Sequence, residues 1–270
     1  MQIGINRWTM PPDWEVDRCL REARAAGFET IELNMAEEGY LTPSTPEAQV
    51  RRLGQTARDL GIGTPSLSNG LGWAYPLTSA DAAVRARGKE FLRALLRIAA
   101  WIGADTVLCV PGGVTPEVSY DVAYRRAQEA LTELAEDAAA AGVVIGVENV
   151  WNKFLLSPME MARFVDEIGS PYVQAYFDAG NVLVFGYPQH WIRILGKRIK
   201  KVHVKDFRTG IGNITAFCNP LQGDLPWAEV RAALDEVGYA GPVTAEVDGY
   251  RVHPELGLKH VAEALAAVFK

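Results

Sequence analysis

The sequence predicts an α/β fold, a single (β/α)8 TIM barrel occupying residues 1–270, and three observations carry that reading. Short β-branched runs alternate with helical stretches eight times, with no linker and no shift of composition between them. The best of these runs, Val143 to Val147, is apolar on both faces, as expected of a parallel strand covered on both sides. Polar residues recur at the ends of the runs along the whole chain, and no G-x-G-x-x-G follows the first one, which disfavours a doubly wound open sheet. A length of 270 residues is large for an ordinary domain and typical of one barrel.

Taken in order, Gln2–Asn6 reads as the first strand, and Asp13 caps a helix to Ala26, with Val16, Leu20 and Ala23 on one stripe and Gly27 as the stop. Thr30–Leu33 is the second strand. Pro46–Leu60 is a helix ended by Gly61, and Ile62–Ser68 is the third strand. Asn69–Thr78, rich in Gly and aromatics, reads as an extended loop over a site. Ala80–Trp101 is helical, Asp105–Val110 is the fourth strand, and Pro111-Gly112-Gly113 turns the chain into the longest helix, Glu117–Ala141. Gly142 ends that helix before the fifth strand reaches Glu148. Pro158–Ile168 and Pro188–Leu195 are helices on either side of strands reaching Asp178 and His203. A polar segment to Pro226, a helix through Val237, a strand reaching Glu246 and a helix over Glu255–Phe269 complete the chain.

Composition narrows the function. With 49% hydrophobic and 22% charged residues the chain can bury a large core. A net charge of -6 argues against nucleic acid as a partner. Cys19, Cys109 and Cys218 are scattered and form no C-x-x-C pair, which points to a reducing compartment. No leader precedes the first strand and no run approaches the roughly 18 apolar residues of a membrane span, so a cytoplasmic protein with no membrane partner is expected.

Four successive strands each deliver one hard ligand at the C-terminal end: Glu148, Asp178, His203 and Glu246, spaced by 30, 25 and 43 residues. In a barrel these ends converge on one mouth. Taken singly, each could be ordinary strand-end polarity capping the next helix; four in register on neighbouring strands predict a metal site. Three carboxylates and an imidazole suit a divalent ion of intermediate hardness, Mn²⁺ first, with Co²⁺, Mg²⁺ or Zn²⁺ as alternatives. Such an ion beside a carbonyl stabilises an enediolate, and two carboxylates on opposite faces of a sugar can remove and return a proton, inverting a stereocentre.

The stretches Gly146-Val147-Glu148-Asn149, Phe177-Asp178-Ala179-Gly180-Asn181, His203-Val204-Lys205-Asp206 and Ala245-Glu246 together resemble the sugar-phosphate isomerase/epimerase superfamily of xylose-isomerase-like barrels. The resemblance covers essentially the whole chain and is greatest to L-ribulose and L-xylulose 5-phosphate 3-epimerases and the related ketose 3-epimerases. It implies that Glu148 and Glu246 are both metal ligands and the acid/base pair, exchanging the C3 proton through a cis-enediolate. It also implies a sugar or sugar-phosphate substrate and a homo-oligomer, dimer or tetramer, built through the helix layer. Two departures favour the phosphopentose wording: Asn181 stands where free-ketose enzymes carry a His, and Arg208 follows His203 by five residues instead of six.

Further candidates lie close to the ligands. Arg208 is expected to contact a substrate hydroxyl or phosphate, and Asn181 the substrate. Glu32 either orients substrate or a neighbouring ligand, or is a buried carboxylate paired with a barrel cation. Trp151 and Lys153 follow Glu148, and Lys153 either neutralises a phosphate or is a solvated surface lysine. Trp8, Trp73 and Tyr75 either shield the mouth from water or serve core or oligomer packing. Lys197, Arg198, Lys200 and Lys201 read as a solvated rim at the far end of the barrel, and His190, His253 and His260 as surface or core residues.

Rival activities on the same barrel are an aldose–ketose isomerase, a hydroxypyruvate isomerase and an inosose dehydratase, which share the metal and the enediolate. An endonuclease-IV-type trinuclear zinc site takes several histidines, whereas three of the four present are badly placed and the net charge is acidic; a non-enzymatic sugar sensor would not need all four ligands.

Overall fold

Eight parallel strands close on themselves in the computed structural model, which describes residues Met1 to Lys270. They are β1 (Ile3–Asn6), β2 (Thr30–Met35), β3 (Ser66–Asn69), β4 (Thr106–Cys109), β5 (Val144–Glu148), β6 (Val173–Asp178) and β7 (Ile199–Val204). An antiparallel hairpin of β8 (Asp206–Phe207) and β9 (Phe217–Cys218) then interrupts the series, and β10 (Val243–Ala245) closes the barrel between β7 and β1. The helices are α1 (Val16–Ala26), α2 (Glu47–Asp59), α3 (Leu71–Ala74), α4 (Ala82–Ile102), α5 (Tyr120–Ala141), α6 (Pro158–Ile168), α7 (Pro188–Leu195), α8 (Trp227–Glu236) and α9 (Pro254–Phe269).

Local chemistry explains the boundaries. Both α6 and α7 begin with proline in the first turn, where a missing N–H costs nothing, and the Ser157 hydroxyl accepts from the Glu160 N–H to cap α6. Gly142 ends α5 at φ 67°, a left-handed conformation that glycine adopts without strain, and so turns the chain into β5.

The third strand is shorter than the expected Ile62–Ser68: Pro65 has no N–H to donate, and regular pairing starts at Ser66. The segment expected as an open loop holds the short helix α3.

Strand alternation divides the apolar core from the barrel interior. Ile5, Leu33, Leu67, Val107, Ile145, Val147, Val202 and Ala245 face the helices and join one continuous core. The inward positions are mostly polar or small. Asn6, Glu32, Asn34, Ser66 and Ser68 are all buried there and hydrogen-bond across strands. Only a small separate apolar cluster, Leu108, Val110 and Tyr176, occupies the interior beside them. Gly146 makes room for the Tyr176 ring, since a Cβ there would come within 2.9 Å of it.

At the N-terminal end of the strands Lys201 is buried, not solvated as expected. Its Nζ lies 2.7 Å from Asp105, which also pairs with Lys200, while Arg198 pairs with Asp166. Strand alternation turns Lys201 inward two residues before His203, so an ion pair replaces solvent at the barrel floor.

Candidate metal and active site

The barrel's stagger decides how the four predicted ligands meet. Asp178 lies directly opposite His203 across β6 and β7, whereas His203 faces Thr244 on β10 and Glu148 faces Tyr176 on β6. Glu246 is therefore two residues beyond the position level with His203, and its longer side chain reaches back. One ligand atom from each of Glu148, Asp178, His203 and Glu246 lies within 4.8 Å of the others. Coordination bonds of about 2.1 Å separate opposed ligand atoms by about 4.2 Å, so a slight contraction would seat a divalent ion. Asp178 Oδ2, fully buried, takes no neutral hydrogen-bond donor and has the Lys205 ammonium 2.7 Å away, so this oxygen already faces positive charge. Three carboxylates with one imidazole fit a divalent cation.

Residues around the ligands hold them in place. Asn149, directly after Glu148, accepts from the Asp178 N–H at 2.9 Å and donates to the Asp178 carbonyl at 2.8 Å. Asn181 donates its N–H to Asp178 Oδ1 at 2.8 Å and its amide to the Asn149 carbonyl at 2.9 Å, and the Trp151 indole donates to the Asn181 carbonyl at 2.8 Å.

Glu32 lies beneath His203. Its Oε2 is 2.7 Å from Nε2 and 2.6 Å from the Asn6 amide that donates to it, and its Oε1 accepts from the Tyr176 hydroxyl at 2.5 Å. No barrel arginine or lysine pairs with it; the partner is the imidazole. A carboxylate on Nε2 fixes the ring and leaves Nδ1, 3.1 Å from Glu148, to face the cluster. Glu32→Gln is expected to weaken divalent-metal affinity about 10- to 100-fold. Isothermal titration with Mn²⁺ reads this directly, and unchanged affinity would remove Glu32 from the metal site.

Lys205 was not singled out from the sequence, although two-residue periodicity on the His203 strand puts it on the same face. Its Nζ lies 2.7 Å from Asp178 and 2.6 Å from Glu246, with the Phe217 ring 5.3 Å away. Burial alone would raise the Glu246 carboxyl, but the Lys205 ammonium and His203 outweigh it and hold the pKa at about 2. For Glu148 burial dominates, aided by Glu246, and pushes the carboxyl up to about 7. His203 is lowered by burial yet raised further by Glu32 and Glu246, to well above the ordinary imidazole.

These shifts set the pH response of the metal-free protein. A folded pKa above the unfolded value favours the protonated form, so the Glu148 contribution is complete below pH 4.5 and is lost as pH rises through about 7. The depressed Glu246 contributes oppositely, but only between about 2 and 4.5. Stability of the metal-free protein is expected to fall between about pH 4.5 and pH 7, by up to about 3 kcal/mol. Glu148→Gln should flatten the profile, as followed by calorimetry in chelator.

Above the ligands is a cavity of about 900 Å³. Glu148 and Glu246 line it, together with Trp8, Trp73, Trp151, Asn181 and Lys205. Trp151 packs edge-on to Phe207 and at a tilt to Phe217, which fixes the wall. Arg208 and Lys153 are exposed and line no part of the cavity; Arg208 Nε instead donates to the Gln222 carbonyl at 3.2 Å. The chain leaves the barrel after Val204 as the β8–β9 hairpin, which carries Arg208 outward. Tyr75 packs on Phe91 and donates to Glu37, leaving Trp8 and Trp73 at the mouth. His190, His253 and His260 lie outside the cavity.

Comparison with known proteins agrees with this architecture. The family described as xylose isomerase-like TIM barrel matches residues 20–268. An L-ribulose 3-epimerase of Mesorhizobium japonicum is 29% identical over 243 residues, covering 86% of this chain and 75% of that protein. An L-ribulose-5-phosphate 3-epimerase of Shigella flexneri is 26% identical over 231 residues, covering 84% and 80%. A crystal structure of D-psicose 3-epimerase in the presence of D-fructose superimposes with a TM-score of 0.82 over 99% of this chain and 98% of that one, at 21% identity.

Proposed function

The chain belongs to the xylose isomerase-like TIM-barrel family, and from that premise we propose that it is a metal-dependent 3-epimerase of a ketose or ketose phosphate. One observation carries the reading: of the four ligand side chains only Glu148 and Glu246 line the cavity, while Asp178 and His203 are completely covered. The two glutamates stand at the ends of an arc, with β6 and β7 between them. A sugar in the cavity thus meets one carboxylate from each side. The names of the curated relatives support the same assignment.

Glu148, Asp178, His203 and Glu246 would hold the ion, Mn²⁺ by preference, and it would supply Lewis acidity to the substrate carbonyl, raising the acidity of the neighbouring C–H. Lys205 keeps Glu246 ionised, so Glu246 is ready to take the C3 proton. Glu148 returns a proton to the opposite face of the planar enediolate, and the roles exchange in the reverse direction. Trp8 and Trp73 cover the mouth and limit the entry of water. The protein is further proposed to be cytoplasmic and homo-oligomeric; no helix is long and apolar enough to cross a membrane, and light scattering tests the assembly.

The test is protein stripped of metal, reloaded with Mn²⁺ and incubated in D₂O with ketoses and ketose phosphates. Deuterium at C3 with a new epimer is expected. Deuterium at C1 or C2 with an aldose product would make the protein an isomerase, and water loss a dehydratase.

A further inference from the structure

We propose that the substrate is an uncharged sugar and not a phosphoester, its end remote from the reacting carbonyl resting on aromatic and apolar side chains. The inference rests on the epimerase reading and narrows its substrate. A phosphate needs free cations, or an array of unengaged N–H groups, to replace its water. The charged groups on the cavity wall are Glu148, Glu246, Asp248 and Lys205. The Lys205 ammonium is already held between Asp178 and Glu246. No arginine lines the cavity, and Arg208 and Lys153 are exposed outside it. Even with a divalent ion in place, the four carboxylates Glu148, Asp178, Glu246 and Asp248 leave the acidic side in excess.

The glycine turn after β4 does not substitute. The Gly112–Gly113 turn, the best candidate for a phosphate cradle, donates its Gly113 N–H to Thr78 Oγ1 at 2.9 Å, and Gly113 packs on Asn152, where a Cβ would come within 2.6 Å of the carbonyl. Towards solvent the wall consists of Trp8, Trp73, Ile214 and Phe217, with the neutral amides of Asn219 and Gln222. Trp8 and Trp73 remain 48% and 58% exposed, open faces for the C–H side of a sugar ring. Amides suit hydroxyls, and the whole set recognises a neutral polyol.

The test is tryptophan fluorescence titration of Mn²⁺-loaded protein, with Trp8, Trp73 and Trp151 as reporters. The ligands are free ketopentoses and ketohexoses, the phosphate of each, and inorganic phosphate. At least one free ketose is expected to saturate, with a Kd at least about tenfold below that of its own phosphate, and millimolar inorganic phosphate should leave it in place. Asp248→Lys should narrow that gap by admitting the phosphate. A phosphate that binds as tightly as its free ketose, or the failure of every free ketose to bind, overturns the proposal. Deuterium exchange at C3 separates the two readings. A bound free ketose with no C3 exchange sinks the epimerase while the neutral site stands; a phosphate that binds tighter and exchanges at C3 does the reverse.

Discussion

Glu246→Gln is expected to lower C3 proton exchange by about 10²- to 10⁴-fold, the range for loss of a positioned general base. The amide keeps the shape of the side chain and an oxygen for the ion but cannot take a proton. Glu246 also needs its charge least for folding, since its side chain is 21% exposed whereas Asp178 and His203 are sealed. Circular dichroism and metal content near wild type, with exchange abolished, would place the loss in the chemistry. Exchange at a near wild-type rate would take Glu246 out of the mechanism, and loss of both metal and activity would make it a ligand only.

Lys205→Met should have the largest effect on stability. It leaves the buried Asp178 and the partly buried Glu246 with no ammonium between them, and breaking a buried pair costs about 3–5 kcal/mol. The Glu246 carboxyl, now held at about 2, should rise. A divalent ion brings positive charge to the same oxygens, so most of the loss should disappear when metal is present. Urea denaturation with and without Mn²⁺ reads the difference. Equal losses in both conditions would mean that Lys205 acts by packing and not by charge.

The β/α alternation and the four candidate ligands could be read along the chain because each is a local signal: a strand run, its end, and the residue standing there. The barrel closes as expected, and the ligand atoms converge. What lay beyond reach depends on partners from distant strands. Glu32 could be flagged as a strand-end carboxylate, but its bond to His203 spans 171 residues and appears only when β2 and β7 face each other across the barrel. Lys205 was visible as the residue two beyond His203, yet its meaning depends on Asp178 and Glu246 arriving beside it. Arg208 illustrates the opposite case: proximity in sequence suggested a substrate contact, and an antiparallel hairpin that periodicity did not reveal takes it away. Lys201 was assigned to solvent because charge runs usually are, and the inward phase of the strand buries it against Asp105.

The split between an apolar outer face and a hydrogen-bonded interior on the strands has a consequence for drift. On the outward side, at Ile145 or Val147, any apolar residue of similar volume can stand in, because dispersion contacts have no direction. On the inward side each residue serves several partners: changing Asn6 alone removes bonds to Glu32, Ser68 and Asn34. Neighbouring positions on one strand should therefore diverge at very different rates, and a saturation library of β2 should recover survivors at Ile31 and Leu33 but almost none at Glu32 and Asn34.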